Sequence, residues 1–420
     1  MPKKVFVKRK APTLVRLYNL FLFFCSRLHI IKYQIDHQKH LKNFTEKNSE
    51  EKKSNKLSQE ALKQFLKNVK ENSLNPATQL FINDELNRIF SNRTKIEKIL
   101  KTNPSIIEAS FSDPIFIVGL PRTGTTALQK MFSFLGDCRV LKLWELHYPT
   151  ARLEGDSAIK KARRQTRKYA FLQNFSKPEQ KHIHPVGVDE PDECFRLLFN
   201  AFTSIAISSA LGLDDYENWI LESDMLSAYQ DYKVQLQILS QSDPKKQLVL
   251  KAPEHLWNLD VLFKVFPSAR VIMTHRDPLS AIASYSSMIS MFRRTAYKKT
   301  DFKHLGPYVT SVFGKGLKGS YRVRENQSFK NEIIDIHCTD IQKNPEGSLK
   351  NICSLLNIKV HDRDCDQLKK WLNMRKPDLP GRHSYSFLKY GVNRDIVKKT
   401  FQFYDDKKYL KNQVNIMKGI

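Results

Sequence analysis

The chain has 420 residues, of which 41% are hydrophobic and 27% charged, so it holds enough apolar material for a large core. With 14 Gly, 18 Pro and 11% aromatic residues, it is neither collagen-like nor disordered throughout. Lys and Arg number 70 against 43 Asp and Glu, a balance that favours anionic partners such as a phosphorylated small molecule, a polyanion or an acidic membrane face.

The N-terminal part is basic and contains a short apolar pattern. Apolar residues recur at helical spacing within residues 14–31, and basic residues flank them. The uncharged run over residues 17–26 is roughly half the length of about 20 residues that a membrane-spanning helix needs. This helix could dock on the protein body, make a peripheral contact with an anionic membrane, or act as a short signal anchor. The sequence leaves these alternatives open, and with them the choice among a cytoplasmic, peripheral and anchored protein.

A polar stretch follows the apolar pattern. Residues 38–59 are rich in Lys, Asn and Glu and lack periodicity, which predicts a linker. The helical period returns at Leu57. We therefore predict a basic N-terminal segment over residues 1–56 and one larger domain over residues 57–420.

The next segment combines a strand, a glycine loop and a helix. Ile115–Val118 is a short apolar run with β-branched residues, typical of a buried parallel strand. The run ends at Gly119, and a helical pattern starts after Gly124. A strand that turns through glycines into a helix directs backbone N–H groups and the positive helix end at one point. Such a point is an anion site.

The loop differs from the nucleoside-triphosphate P-loop in its charged residue. The spacing of Gly119 and Gly124 is the same, but Thr125 stands where that loop has Lys, and Arg122 lies inside the loop. Triphosphate transfer uses the loop Lys together with Mg²⁺. A less charged sulfuryl group could be handled by basic side chains and backbone donors, so we expect no metal. The His and carboxylate residues of 182–193 have no regular ligand spacing.

Two more apolar runs end in a basic residue. Arg276 follows the predicted strand 270–274, and Asp277 and Pro278 suit the start of a helix. Ser284 lies about two turns along that helix, on the face that returns toward Arg276. This pair suits a phosphate monoester, although Arg276 could instead form a structural ion pair with Asp277. Lys251 ends the other run, a costly place for a charge unless it meets an anion.

These motifs resemble those of sulfotransferases that use 3′-phosphoadenosine 5′-phosphosulfate (PAPS). The loop over residues 121–126, Pro-Arg-Thr-Gly-Thr-Thr, resembles their 5′-phosphosulfate loop, and residues 247–256 and 270–278 resemble their next two motifs. The resemblance covers roughly residues 57–404 and is greatest to the branch with Asp-Glu-Pro-Asp-Glu, here residues 189–193. It implies an α/β, P-loop-like, three-layer fold with a central parallel sheet of about five strands flanked by helices.

The resemblance also implies roles for individual residues. The loop residues would bind the 5′ end of the donor. Arg276 and Ser284, which follow the later strand, would bind the 3′-phosphate. A late loop would cover the nucleotide, and in it Arg382 stands where Lys is more usual. Lys251 would neutralise charge that develops on the bridging oxygen. The donor-binding residues are thus Arg122, Thr123, Gly124, Thr125, Thr126, Arg276, Ser284 and Arg382.

A general base must also accept the proton of the acceptor hydroxyl. Glu145 is the first candidate, because several sulfotransferase branches place a carboxylate after the loop helix, and Trp144 beside it could raise its pKa. We expect its segment to be strand-like. His255 is the second candidate, since other branches use a histidine close behind the strand lysine. His184 is the third.

The sequence thus favours an enzyme that moves a sulfuryl group from PAPS to an acceptor hydroxyl by in-line displacement. A P-loop-type kinase is a second hypothesis, which Thr125 argues against. A non-catalytic protein that binds membranes or nucleic acid is a third; it explains the charge but not the ordered motifs, and no nucleic-acid-binding signature is evident. The sequence does not determine the acceptor, whose pocket we expect within residues 145–235 and 286–330.

Overall fold

A parallel β-sheet forms the centre of the molecule. A computed structural model describes the protein over residues 8, 10–47, 55–109, 113–184, 186–326, 329, 331–374 and 386–404. Within these residues, the sheet has five strands in the order β2-β3-β1-β4-β5. The strands are β1 Ile115–Gly119, β2 Cys138–Val140, β3 Gln247–Lys251, β4 Arg270–His275 and β5 Ile333–His337. The predicted parallel sheet of about five strands is therefore confirmed.

Helices cover both faces of the sheet. The helices that precede it are α1 Thr13–Arg27, α2 His37–Lys47, α3 Asn55–Glu71 and α4 Pro76–Thr102. The helices from β1 to β3 are α5 Thr125–Phe132, α6 Leu143–His147, α7 Asp156–Ser176, α8 Gln180–Ile183, α9 Phe195–Phe199, α10 Ile205–Leu211, α11 Asp214–Glu222 and α12 Leu226–Ser240. Those that follow are α13 Leu259–Val265, α14 Pro278–Ala296, α15 Leu305–Glu325, α16 Cys338–Lys343, α17 Pro345–Leu355, α18 Asp362–Met374 and α19 Arg394–Thr400.

Strand β1 is buried on both sides, as its uninterrupted apolar run predicts. Ile115 and Ile117 face a cluster that includes residues of α5, α17 and α18. Phe116 and Val118 point the opposite way, into a larger cluster that includes residues of α12, α13 and α15. The two clusters make the outer layers of a three-layer α/β fold.

Helix α2 occupies part of the stretch that the composition predicts to be a linker. Phe44 is buried, with its ring 6.3 Å from Phe90 and 5.9 Å from Phe202. The ring of His40 lies 2.8 Å from the Asn83 amide oxygen. The linker prediction is therefore wrong for residues 38–47, because a few well-placed apolar side chains bury a helix that is otherwise polar.

Helix α1 packs on the start of α4 with one face and exposes the other. Val15, Leu22 and Cys25 are buried, and the Asn19 side chain accepts a hydrogen bond of 2.9 Å from the Ala77 N–H. None of the helices in the described ranges combines the length and hydropathy needed to cross a bilayer.

Candidate active site

The loop after β1 owes its shape to two glycines. Gly119 has φ +145°, and a Cβ there would collide with the Thr274 hydroxyl oxygen on neighbouring β4. Gly124 has φ +97° and is the N-cap of α5. Because glycine has no side chain, it cannot cap the first turn, and the N–H groups at the start of α5 can bind an anion.

Arg122, Ser284 and Arg276 meet beside this loop. Arg276 Nη1 donates a hydrogen bond of 2.7 Å to the carbonyl oxygen of Arg122, whose backbone has an unusual φ of +74°. Arg122 Nε donates one of 3.2 Å to Ser284 Oγ. Arg276 and Ser284 come from the carboxyl end of β4 and from α14, so three elements converge here.

The placement of Ser284 depends on how α14 begins. The Asp277 carboxylate caps this helix, accepting hydrogen bonds of 3.3 and 3.0 Å from the backbone N–H groups of Leu279 and Ser280. Pro278 occupies the first helical position, as the sequence predicts. The cap fixes the rotation of the helix, and two turns later Ser284 faces the loop.

Lys251 lies at the carboxyl end of β3, beside the start of α5. Its Nζ is 2.6 Å from a carboxylate oxygen of Glu193 and donates a hydrogen bond of 3.2 Å to Thr126 Oγ1. The Lys251 side chain has 0% exposure, so Glu193 is the counter-charge that makes burial of this ammonium tolerable.

His184 is close to the same group of charges. Burial, with a smaller contribution from the cations of Lys251 and Arg122, lowers the pKa of His184, although Glu193 opposes the shift. Its imidazole is therefore mainly neutral near neutral pH. Asp192 lies 4.0 Å away and is itself paired with Arg196 at 3.1 Å.

A single cavity of about 1240 Å³ connects these groups. This volume exceeds the range of roughly 300–1,000 Å³ that is usual for one small ligand. Lys251, Thr123 and Ser284 lie behind the wall rather than on it, held by the contacts above and by a hydrogen bond of 2.5 Å between the Thr123 and Thr274 hydroxyls. The candidate residues on the wall are Arg122, Gly124, Thr125, Thr126, His184 and Arg276.

Glu145, the first candidate for the base, does not line this cavity. Its segment is helix α6 rather than a strand, and its carboxylate is 2.9 Å from Arg139 Nη2 and 2.7 Å from Arg152 Nε. A carboxylate oxygen also accepts a hydrogen bond from the Lys142 N–H. Burial alone would raise the pKa of Glu145, but the two guanidinium groups lower it below its ordinary value. These surroundings favour a structural role, contrary to the raised pKa that the sequence suggests.

His255, the second candidate, is enclosed by aromatic rings. Its Nδ1 is 2.8 Å from the Tyr229 hydroxyl, its Nε2 is 3.3 Å from the Cys194 sulfur, and the rings of Phe116 and Tyr232 pack around it. Burial lowers its pKa to about 3. The His255 side chain has no exposed surface. It does not line the cavity, although Glu254 and Trp257 do.

The remaining predictions concern a late-loop arginine and metal binding. Arg382, with the segment 381–385, lies outside the described residues. In the part of the chain that the structure describes, no three His, Cys, Asp or Glu side chains are grouped to hold a metal ion.

Two carboxylates on the cavity wall were not singled out by the sequence as bases. Glu193 belongs to the Asp-Glu-Pro-Asp-Glu motif and meets Lys251 there. Glu254 follows Lys251 by three residues, and burial raises its pKa to about 8. One Glu254 oxygen accepts hydrogen bonds from Ser204 Oγ and the Ala206 N–H, whereas the other has no partner among the described residues. The carboxylate-rich motif is the signal that could have pointed to Glu193.

Comparison with known proteins places this fold among sulfotransferases. The structure superposes on sulfotransferase STF1 from Mycobacterium tuberculosis with a TM-score of 0.73 and 23% identity, covering 89% of this chain and 100% of that one. It superposes on sulfotransferase STF9 from Mycobacterium avium with a TM-score of 0.74 and 20% identity, covering 87% and 95%. A comparison with curated protein sequences finds no match. A family model described as "Sulfotransferase family" matches residues 114–362, more than half of the sequence, and the chain therefore belongs to the sulfotransferase family.

Proposed function

We propose that the protein transfers a sulfuryl group from PAPS to an acceptor hydroxyl by in-line displacement. The observation that carries this proposal is the chain of hydrogen bonds from Arg276 through Arg122 to Ser284, beside one cavity whose wall includes both arginines and the start of α5. A donor with anionic groups at its 5′ and 3′ positions would find a separate partner for each group. A nucleoside triphosphate has no 3′-phosphate to bind at the second of these partners.

Each residue then has a defined task. The N–H groups at the start of α5, with Thr125 and Thr126, would bind the 5′-phosphosulfate. Arg276 on the cavity wall, with the Ser284 hydroxyl behind it, would bind the 3′-phosphate. Lys251 would neutralise the bridging oxygen as the sulfur–oxygen bond to phosphate breaks and the acceptor oxygen bonds to sulfur.

We assign the acceptor proton to Glu193. Its carboxylate lines the cavity and lies 2.6 Å from the lysine that would meet the leaving oxygen, so base and leaving group share one neighbourhood. Neutral His184, also on the wall, would position the acceptor hydroxyl.

Ligand-induced stabilisation tests the donor assignment. We expect the desulfated donor, 3′-phosphoadenosine 5′-phosphate (PAP), to raise the Tm of the full-length protein because it binds the folded state alone. Adenosine 5′-phosphosulfate, which lacks the 3′-phosphate, should stabilise it less, and ATP least. Stabilisation by ATP equal to that by PAP would instead favour the kinase, and DNA that displaces PAP at stoichiometric concentration would favour the basic binding protein.

A further inference from the structure

Helix α1 presents an apolar face to solvent. Leu17, Phe21 and Phe24 are 55%, 57% and 61% exposed, whereas Val15 and Leu22 on the opposite side of the helix are buried against the protein. A contiguous exposed apolar face of this kind marks an interaction site in a water-soluble domain. Arg16 and Arg27 are the charged residues of this helix, which contains no acidic side chain.

Helix α7 adds a second apolar surface next to a basic one. In its C-terminal half Phe171 is 66% exposed, and its ring stacks on that of Phe175 at 6.1 Å. The part of the helix that precedes Phe171, residues 156–170, is strongly basic and would be attracted to an anionic surface. Its exposed cations are Lys160, Lys161, Arg164, Arg167 and Lys168.

The cavity extends to both of these helices. Its wall includes Tyr18 of α1, Phe81 of α4, and Phe171 and Phe175 of α7. The ring of Phe81 lies 5.9 Å from that of Tyr169, so α4 joins the two apolar surfaces. The same cavity wall includes Thr126 and Glu193 at the candidate reaction centre. The apolar surface and the reaction centre are therefore parts of one connected space.

Much of the cavity wall beyond the reaction centre is apolar. A polyol bound there would leave hydroxyl groups without hydrogen-bond partners, whereas an alkyl chain would be well accommodated. The residues concerned are Ile205, Ile207, Met288, Phe292, Val309 and Phe313.

We propose that the acceptor is an alcohol on a long apolar chain, taken directly from an anionic bilayer leaflet on which α1 and the C-terminal half of α7 lie. This inference rests on the proposed function. Helix α1 has 15 residues, fewer than the roughly 20 that a spanning helix needs, and its apolar face with flanking arginines suits a position in the plane of the leaflet. The basic residues of both helices match anionic headgroups. In the reaction the alcohol becomes an alkyl sulfate: its oxygen bonds to sulfur, PAP leaves, and the proton passes to Glu193.

A chain-length series tests the acceptor class without a membrane. With radiolabelled PAPS and water-soluble primary alcohols from butanol to octanol, we expect kcat/KM to rise with each methylene, by up to about four-fold, because each buried methylene contributes about 0.8 kcal/mol. Glycerol and glucose serve as polar controls. Rates that do not depend on chain length, or that are higher for the polyols, would overturn the proposal.

Vesicle flotation tests the surface. We expect the protein to float with phosphatidylcholine vesicles that contain one-fifth phosphatidylserine and much less with phosphatidylcholine alone. The double variant Phe21→Gln/Phe24→Gln should reduce binding by about ten-fold or more, because two aromatic side chains no longer enter the leaflet. Ile396→Gln, at a 54% exposed position of α19, is the matched control and should bind normally.

The double variant should also lower the ratio of the rate on vesicle-borne hexadecanol to the rate on soluble hexanol. Vesicle binding that is unchanged in the double variant would overturn the proposal that α1 binds the membrane. A second result would also overturn it: sedimentation that shows a dimer for the wild type and a monomer for the double variant. The apolar face of α1 would then be an interface between two copies of the chain.

Failure of this inference can be distinguished from failure of the proposed function. If PAP stabilises the protein and label passes to a polar acceptor but not to long-chain alcohols, the donor assignment stands and the acceptor class is wrong. If PAP has no effect and no alcohol is labelled in the presence of a folded, vesicle-bound protein, the proposed function itself is wrong.

Discussion

Glu193 is the residue on which the proposed chemistry most directly depends. We expect Glu193→Gln to lower turnover by roughly 10²–10⁴-fold, the usual contribution of a general base. PAP binding should be retained, because Lys251 keeps its charge and loses a competing partner. Steady-state kinetics and PAP titration measure the two effects.

Glu190→Gln is the matched control for that substitution. Glu190 also lines the cavity, but its carboxylate pairs with Lys130 at 2.6 Å and is half exposed. A Glu193 variant with normal turnover, beside a His184→Asn variant that is inactive, would move the base to His184.

Arg276 should decide affinity for the 3′-phosphate. We expect Arg276→Ala to weaken PAP binding by about ten- to a hundred-fold, the loss of roughly 1.5–3 kcal/mol from hydrogen bonds to a charged group. Arg276→Lys should lie between, because it keeps the charge but not the planar fork. Calorimetric titration with PAP and with adenosine 5′-phosphosulfate separates the two phosphate sites, and an equal loss for both ligands would contradict the assignment.

The sequence places Arg122, Arg276 and Ser284 near one another, as the structure does, and their role in donor binding stays a prediction. Arg122, Arg276 and Ser284 could be placed because each follows a strand end or a helix start at a fixed spacing, and these local rules determine where the side chains point. The expectation for Glu145 and His255 rests on their place in the motifs and, for Glu145, on the neighbouring Trp144. The arginines around the first and the aromatic rings around the second come from distant parts of the chain, which spacing does not reveal.

At the scale of elements, the turn from β1 into α5 depends on close contact with β4. We expect Gly119→Ala to destabilise the fold by more than about 2 kcal/mol, since its Cβ would meet both oxygens of Thr274 and its φ of +145° disfavours a side chain. Donor binding should fall with it. Urea unfolding with and without PAP measures both effects.

Gly319→Ala is the matched control. This glycine lies inside α15, and a Cβ there would meet no heavy atom within 4 Å. The substitution should therefore stabilise the protein by up to about 1 kcal/mol, as alanine does in helices. A Gly119 variant as stable as the wild type would show that the loop can change its path.

Elements with a strong local pattern were predicted correctly, and weak ones were not. The apolar runs that predict β1, β3 and β4 end at glycine or polar residues, and the structure has a strand at each of them. Strand β2, with only three residues, has too short a pattern to detect. Helices α2 and α6 were misassigned because their sequences are, respectively, mostly polar and only five residues long, so tertiary packing determines their structure.

At the scale of the whole molecule, two adjacent buried residues, Glu254 and His255, should have opposite effects on how the free energy of unfolding depends on pH. His255 has its pKa lowered to about 3, so its stabilising contribution is fully present above its unfolded pKa near 6.5 and is lost as the pH falls toward the folded value. Glu254, with its pKa raised to about 8, favours the folded state at low pH and loses that contribution as the pH rises from about 4.5 to 8.

Single variants should therefore change the pH dependence of stability in opposite directions. From about pH 7 to about pH 5, the His255 imidazole costs the folded state about 2 kcal/mol. His255→Gln should remove that loss, so the variant gains stability relative to the wild type on acidification. Glu254→Gln should do the reverse. Urea unfolding of the three proteins at both pH values checks the signs, and parallel curves would contradict the assigned protonation states.

The ion pair between Lys251 and Glu193 has a kinetic consequence. While the cofactor-like donor is absent, the carboxylate that should take the proton is neutralised by the ammonium that should assist departure of the leaving group. Arrival of the phosphosulfate would draw the lysine away and free the carboxylate to meet the acceptor hydroxyl. Catalysis would thus follow a compulsory sequence, with the nucleotide binding first and leaving last. Product-inhibition patterns would reveal it: PAP should compete with PAPS but act non-competitively toward the alcohol.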